Sequence, residues 1–258
     1  MMQAQSIGRR VALATLIIVA SSQTADATCA LAAQGDGHVG AILDARTFRL
    51  SDGRDIRLAG IEPAFGQDNA SAPLAALIAD RDVSLQGADD APDRYGRQSA
   101  FVFPASADTP VQIALLKRGQ AVYSGLVTDK SCAADLIRAE ADARNSRLGV
   151  WAEPTAIKNA EKPEDILSSV GQFVVVEGKV LSVRQTGTTF YVNFGRRWTE
   201  GFAVTISRRM IAPLETAGLA PKSLENRRLR VRGWVERRGG GPRIELFQAG
   251  QIELAGDK

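Results

Sequence analysis

Apolar residues recur along the chain with two different periods, and the places where the period changes mark its elements. Residues 39–43, 47–50 and 54–61 alternate apolar and polar side chains, the period of a half-buried strand. Ser51-Asp52-Gly53 separates the last two as a tight turn. Residues 68–80 carry Leu74, Leu77 and Ile78 at helical spacing. Residues 83–85 and 100–103 predict two more strands, with the polar loop 89–97 between them. Residues 111–118 predict a helix stopped by Gly119, and 132–146 a longer amphipathic helix with Leu136, Ala139 and Ala143 near one face. Five strands and three helices in this order suit a Greek-key OB barrel.

Residues 153–163 hold Pro154 and Pro163 with little apolar content, and predict a linker. The pattern then starts again. Residues 173–183, 188–194, 202–206, 228–235 and 243–247 are β-rich, with a helix expected over 208–217. The glycines 239–241 mark a hairpin tip; no Lys-Ser/Thr and helix follow, as a phosphate loop would need. The expected fold class is mainly β with helices (α+β), an OB barrel over 28–152 followed by a second small OB-like β-barrel over 164–258.

Residues 1–27 belong to neither part. Arg9 and Arg10, a short apolar run over 11–20, and Ala25-Asp26-Ala27 predict a cleaved export signal. The mature chain is then expected to begin at Thr28, in the periplasm, with no transmembrane span; the apolar run is too short to be one. The two cysteines, Cys29 and Cys132, would meet an oxidising compartment, which favours a bridge between them. A free thiol at both, or a lipid on Cys29, are the other states left open.

Charge is split unevenly. Residues 28–158 carry 14 Lys and Arg against 17 Asp and Glu, whereas 159–258 carry 16 against 11. Any affinity for a polyanion is therefore expected in the second part rather than the first. There, aromatics and arginines interleave: Tyr191, Phe194, Arg196, Arg197, Trp198, then Arg228, Arg230, Arg232, Trp234. Such a surface stacks single-stranded bases beside phosphate contacts. The competing reading puts the aromatics in a core and the arginines on a solvated strand face, since Leu229 and Val231 alternate with Arg228, Arg230 and Arg232. His38 is the only histidine, which leaves little material for imidazole catalysis or a histidine metal site.

Three short motifs carry chemistry: Asp44-Ala45-Arg46-Thr47, Ile56-Arg57-Leu58-Ala59-Gly60-Ile61-Glu62-Pro63-Ala64-Phe65, and Tyr95-Gly96-Arg97. With these the chain resembles the staphylococcal-nuclease-like (thermonuclease) family over about residues 38–152. The resemblance implies a phosphodiesterase whose two motif carboxylates hold calcium, whose glutamate directs the attacking water, and whose two arginines contact phosphate. Arg57, Glu62 and Arg97 match that pattern as catalytic positions. Two positions depart from it. Arg46 stands where a calcium ligand belongs, and Phe65 where the water-directing glutamate belongs. Phe65 cannot accept a proton; Asp68, three residues on, is the nearby acid that could substitute. Arg46 either pairs with Glu62 or Asp44 and mimics the ion's charge, or points to solvent. Arg57 in turn contacts phosphate or simply pairs with Glu62. The leading expectation is a non-catalytic binding or scaffold protein that holds no metal and no cofactor. The alternative is a calcium-dependent phosphodiesterase acting on DNA or RNA through an altered site. Nucleic acid and an envelope protein are the two partner classes these readings imply.

Overall fold

The computed structural model describes residues 29, 31–64, 70–89, 91–105 and 107–256. The expected export signal over 1–27 lies outside them. The first part contains strands β1 (Ala32–Ile42), β2 (Thr47–Leu50), β3 (Asp55–Leu58), β4 (Ile61–Pro63), helix α1 (Ala72–Ile78), strands β5 (Asp82–Gly87) and β6 (Arg97–Pro104), helix α2 (Val111–Lys117), strand β7 (Ala121–Tyr123) and helix α3 (Lys130–Asn145).

Five of these strands close a barrel in the order β1-β2-β3-β6-β5, with β3 and β6 parallel and the other pairs antiparallel. This is the predicted five-stranded barrel. Period two sends Phe48, Leu50, Ile56, Leu58, Val83 and Leu85 inward, where Leu74 and Ile78 of α1, Leu116 of α2 and Leu136 of α3 join the same core. Strand β1 begins seven residues before the alternation does. Its first half pairs with β5 through Ala32, Ala33 and residues 36–38, and needs only backbone groups to do so, so its polar side chains gave no period to read.

The strand expected over 54–61 is broken at Gly60. That residue has φ 76°, and a Cβ there would lie 2.7 Å from both Leu136 and Val127. The chain turns at this point and leaves the barrel as β4, which pairs with β7. Helix α3 is capped by Asp129, whose side chain accepts from the Cys132 N–H at 2.9 Å. Cys132 is bridged to Cys29, with the Cα atoms 4.4 Å apart.

The second part contains β8 (Ile157–Asn159), α4 (Pro163–Leu167), β9 (Phe173–Lys179), β10 (Ser182–Thr186), β11 (Thr189–Asn193), β12 (Ala203–Ile206), α5 (Ile211–Thr216), β13 (Arg228–Trp234), β14 (Glu236–Arg238), β15 (Gly241–Leu246) and β16 (Ile252–Leu254). Strand β8 lies inside the expected linker and pairs in parallel with β9. The ladders form two sheets, β10-β11-β12-β15-β14 and β16-β13-β9-β8, rather than the second closed barrel expected. The physical reason is two interruptions. The expected strand 173–183 breaks at Val180-Leu181 between β9 and β10, and Val235 separates β13 from β14. Taking each interrupted pair as one bent strand restores the pairing order of the first barrel, including the parallel contact, here β12 with β15.

The two parts share buried surface. Ala64, Val122, Ala143, Val150 and Trp151 of the first pack with Phe173 and Val175 of the second in one apolar cluster. A Cβ on Gly125 would lie 2.7 Å from backbone atoms of Gln251 and Gly250, so the main chains meet directly. Among the described residues no helix is long and apolar enough to cross a membrane.

Candidate functional site

The motif residues converge at one end of the barrel. Asp44 and Arg46 sit in the loop between β1 and β2, where the Asp44 carboxylate accepts from the Arg46 N–H at 2.8 Å and holds the turn. The Arg46 carbonyl accepts from the Leu58 N–H at 2.8 Å, which fixes this loop against the end of β3. The Arg46 side chain, mostly buried, is directed inward, and its Nη1 contacts Oε2 of Glu62.

Glu62 stands on β4, turned into the protein by the break at Gly60, and is almost fully buried. Its second oxygen, Oε1, accepts from Arg57 Nη2 at 3.3 Å. Both carboxylate oxygens of Glu62 are therefore held by guanidinium groups. Burial pushes this carboxyl up from its ordinary value, while Arg46 and Arg57 pull it back. Burial also lowers Arg57, and the Arg46 cation beside it adds to the effect. Of the two alternatives for Arg46, pairing with Glu62 is the one the structure holds. The structural pairing of Arg57 with Glu62 is present as well.

Arg97 opens β6 and faces the same cleft of about 380 Å³ as Arg57 and Glu62. Its Nε and Nη2 donate to Oδ2 of Asp93 at 3.0 and 2.7 Å. The Arg97 guanidinium holds Asp93 down at about 2. The ring of Tyr95 lies beneath Arg94 and Arg97, at 4.7 and 5.0 Å from their guanidinium carbons. Reading the motif as Tyr95-Gly96-Arg97 missed Asp93. The local signal was present, because an aspartate two residues before Tyr95 in a turn closed by Gly96 is a common cap for the N–H groups that follow. Asp89 and Asp129 also line the cleft.

Residues 51–153 match the family described as staphylococcal nuclease homologue. With the closed five-stranded barrel, this decides what the first part is. It is a staphylococcal-nuclease-like domain. The matched stretch includes Arg57, Glu62 and Arg97 and begins after Arg46. No curated protein matches the chain. Phe65 and Asp68 of the nuclease-like domain lie outside the described residues. Among the described residues no three His, Cys, Asp or Glu side chains come together as a metal-binding group. His38 lies within β1, on the surface of this domain, between Asp80 and Asp82.

Proposed function

We propose that this nuclease-family protein is exported to the periplasm and works there as a non-catalytic binding or scaffold protein. The observation that carries the reading is the Arg46 guanidinium against Glu62. Calcium takes six to eight oxygen ligands, usually with several carboxylates. The carboxylate against Arg46 is that of Glu62, and both of its oxygens are engaged by Arg46 and Arg57. A divalent ion would have to displace a fixed cation, and then sit beside it. These residues do not fit calcium. Phosphodiester hydrolysis needs stabilisation of developing charge and a group that orients water. Arg57 and Arg97 can supply part of the first, but Arg97 is tied to Asp93, and Phe65 cannot supply the second.

The test is calorimetry with calcium together with a cleavage assay on DNA and RNA. The expected outcome is calcium binding no tighter than about millimolar, the weak end of calcium modules, and little or no cleavage. Micromolar binding lost in Glu62→Ala, with cleavage abolished by Arg57→Ala or Arg97→Ala, would overturn the reading. It would establish the calcium-dependent phosphodiesterase instead. The one observation favouring that second reading is that Arg57, Glu62 and Arg97 line a common cleft.

Export is supported by the composition of residues 1–27 and by the Cys29–Cys132 bridge, which persists in oxidising compartments. Sequencing the N-terminus of protein from a periplasmic fraction is expected to begin at Thr28. A chain recovered from the cytosol with Met1 in place would refute it. An envelope protein is the partner class that a scaffold role would require.

A further inference from the structure

The outer face of the sheet β10-β11-β12-β15-β14 carries a second cleft, of about 490 Å³, far more basic than the first. Strand parity builds it. In β11, Phe190 and Val192 enter the core, which leaves Tyr191 and Asn193 on the opposite face. Register sets Arg184, Tyr191 and Thr205 in one row across three strands, and Asn193 and Arg243 in the next. The loop between β11 and β12 brings Trp198 to the cleft, and the β14–β15 hairpin brings Arg238.

The groups on this face are of three kinds. Trp198 is 64% exposed although it lines a cleft, so its indole is offered to solvent rather than to the core. Arg243 is a positioning residue. Its guanidinium donates to the carbonyl oxygens of Gly201 at 2.6 Å, Trp198 at 2.7 Å and Pro242 at 2.8 Å, which fixes the loop that carries the indole. Arg184 lines the cleft as a cation with no carboxylate partner among the described residues, and Arg196, exposed on the Trp198 loop just beyond the lining, is another. Arg238 is shared between Glu236 and Glu245. Thr205 adds a buried hydroxyl with no protein partner. None of the residues lining the cleft is an acid, whereas four acids line the cleft of the nuclease-like domain.

We propose that this cleft binds single-stranded nucleic acid, with a base stacked on Trp198 and Tyr191 and the neighbouring phosphates on Arg184 and Arg196. A ring with an open face beside an unpaired guanidinium is the pair of contacts that an unstacked nucleotide offers. A duplex hides its base faces and cannot use Trp198 in this way. The cleft is of the size that takes one small ligand, and one nucleotide unit fits that range. The second cation, out on the Trp198 loop, calls for a second phosphate and so for a strand rather than a free nucleotide. The binding stands whether or not the nuclease-like domain hydrolyses anything.

The test is fluorescence anisotropy of the full chain with labelled twelve-nucleotide dT and rU strands, in the presence of a chelator so that no cleavage intervenes. Both are expected to bind, with DNA and RNA compared directly. Trp198→Ala should weaken binding about tenfold, as loss of one stacked base does. Arg184→Gln should lower the slope of log affinity against log salt by about 0.7, one single-strand phosphate contact. Both side chains are exposed, and circular dichroism confirms that each variant folds. Arg57→Ala and Arg97→Ala should leave binding unchanged. Four results would overturn the assignment: no binding, equal affinity for a duplex or for heparin, Trp198→Ala without effect, or loss of binding in the Arg57 or Arg97 variant. A mononucleotide that competes as tightly as the strand would overturn it as well, by making the ligand a small molecule.

Discussion

His38 stands between two carboxylates on the barrel surface, with Nδ1 3.0 Å from Asp82 and Nε2 3.0 Å from Asp80. The bond to Asp82, then the bond to Asp80, hold its imidazolium and raise its pKa above 6.5. The sign follows from linkage. A raised folded value means that the clasp is fully present below the ordinary histidine range and is lost as pH rises through the folded value. Because the chain has one histidine, an NMR titration reads it without assignment. We expect a midpoint above 6.5 that moves back toward it in Asp82→Asn; a midpoint at or below 6.5 in the native chain would refute the clasp. Asp93 follows the opposite sign. Its depressed value, about 2, keeps it ionised and bound to Arg97 at any ordinary pH, and that contribution fades only as pH falls from the carboxylate range toward 2. That Arg57, Glu62 and Arg97 would come together in one cleft was legible because the motifs name them. The orientation of Arg46 was not, because a guanidinium beside a buried acid and one in water have the same sequence.

At the scale of elements, helix α3 is fixed by its cap and by the bridge. The bridge joins residues 103 apart in sequence. In the chain-entropy model, a loop of that length stabilises by about 4–5 kcal/mol, of which engineered and native cases commonly deliver 2–5. Cys29→Ser/Cys132→Ser should therefore melt well below the native chain, and a reducing agent should lower the native melting temperature toward that of the variant. A reducing agent without effect, in a protein whose thiols then label fully, would show that the bridge contributes nothing. Helices α1, α2, α3 and α5 and most barrel strands were legible because each buries one face and so carries a period. Helix α4, strands β7, β8, β14 and β16 and the break at Gly60 were not. Strand β7 has all three residues buried and no alternation to display. Strand β8, also three residues long, carries lysine and asparagine and looks like a linker. The break at Gly60 depends on Leu136 and Val127, which lie far along the chain, so no local pattern announces it.

For the whole molecule, the question is what makes the closed barrel and the two-sheet part into one body. The expectation that Arg228, Arg230 and Arg232 form a solvated strand face is right in its period and wrong in its environment. Leu229 and Val231 enter the core as expected, but Arg232 is 2% exposed and crosses to the nuclease-like domain. Its Nη1 donates to Glu140 Oε1 and Oε2 at 3.0 and 2.8 Å and to the Tyr123 carbonyl at 2.9 Å, with the Tyr123 ring 5.1 Å away. Glu140 also accepts from the Tyr123 N–H at 2.7 Å, so one carboxylate joins α3, β7 and β13. An intact buried pair adds little net stability, because desolvation offsets attraction; breaking it leaves a charge stranded, at a cost of about 3–5 kcal/mol. Arg232→Met should accordingly be severe. Adding Glu140→Gln should recover part of the loss, since the amide oxygen still accepts from Tyr123 and the buried carboxylate charge is gone, while Arg144, mostly buried, gives up its 3.5 Å contact with Glu140. Calorimetry should show one cooperative transition for the native chain, because the pair and the apolar cluster around Trp151 and Phe173 are buried across both parts. Two resolved transitions in the native chain, or an Arg232→Met change costing less than about 1 kcal/mol, the scale of an exposed pair, would mean that the parts are joined by chain connectivity rather than by this interface.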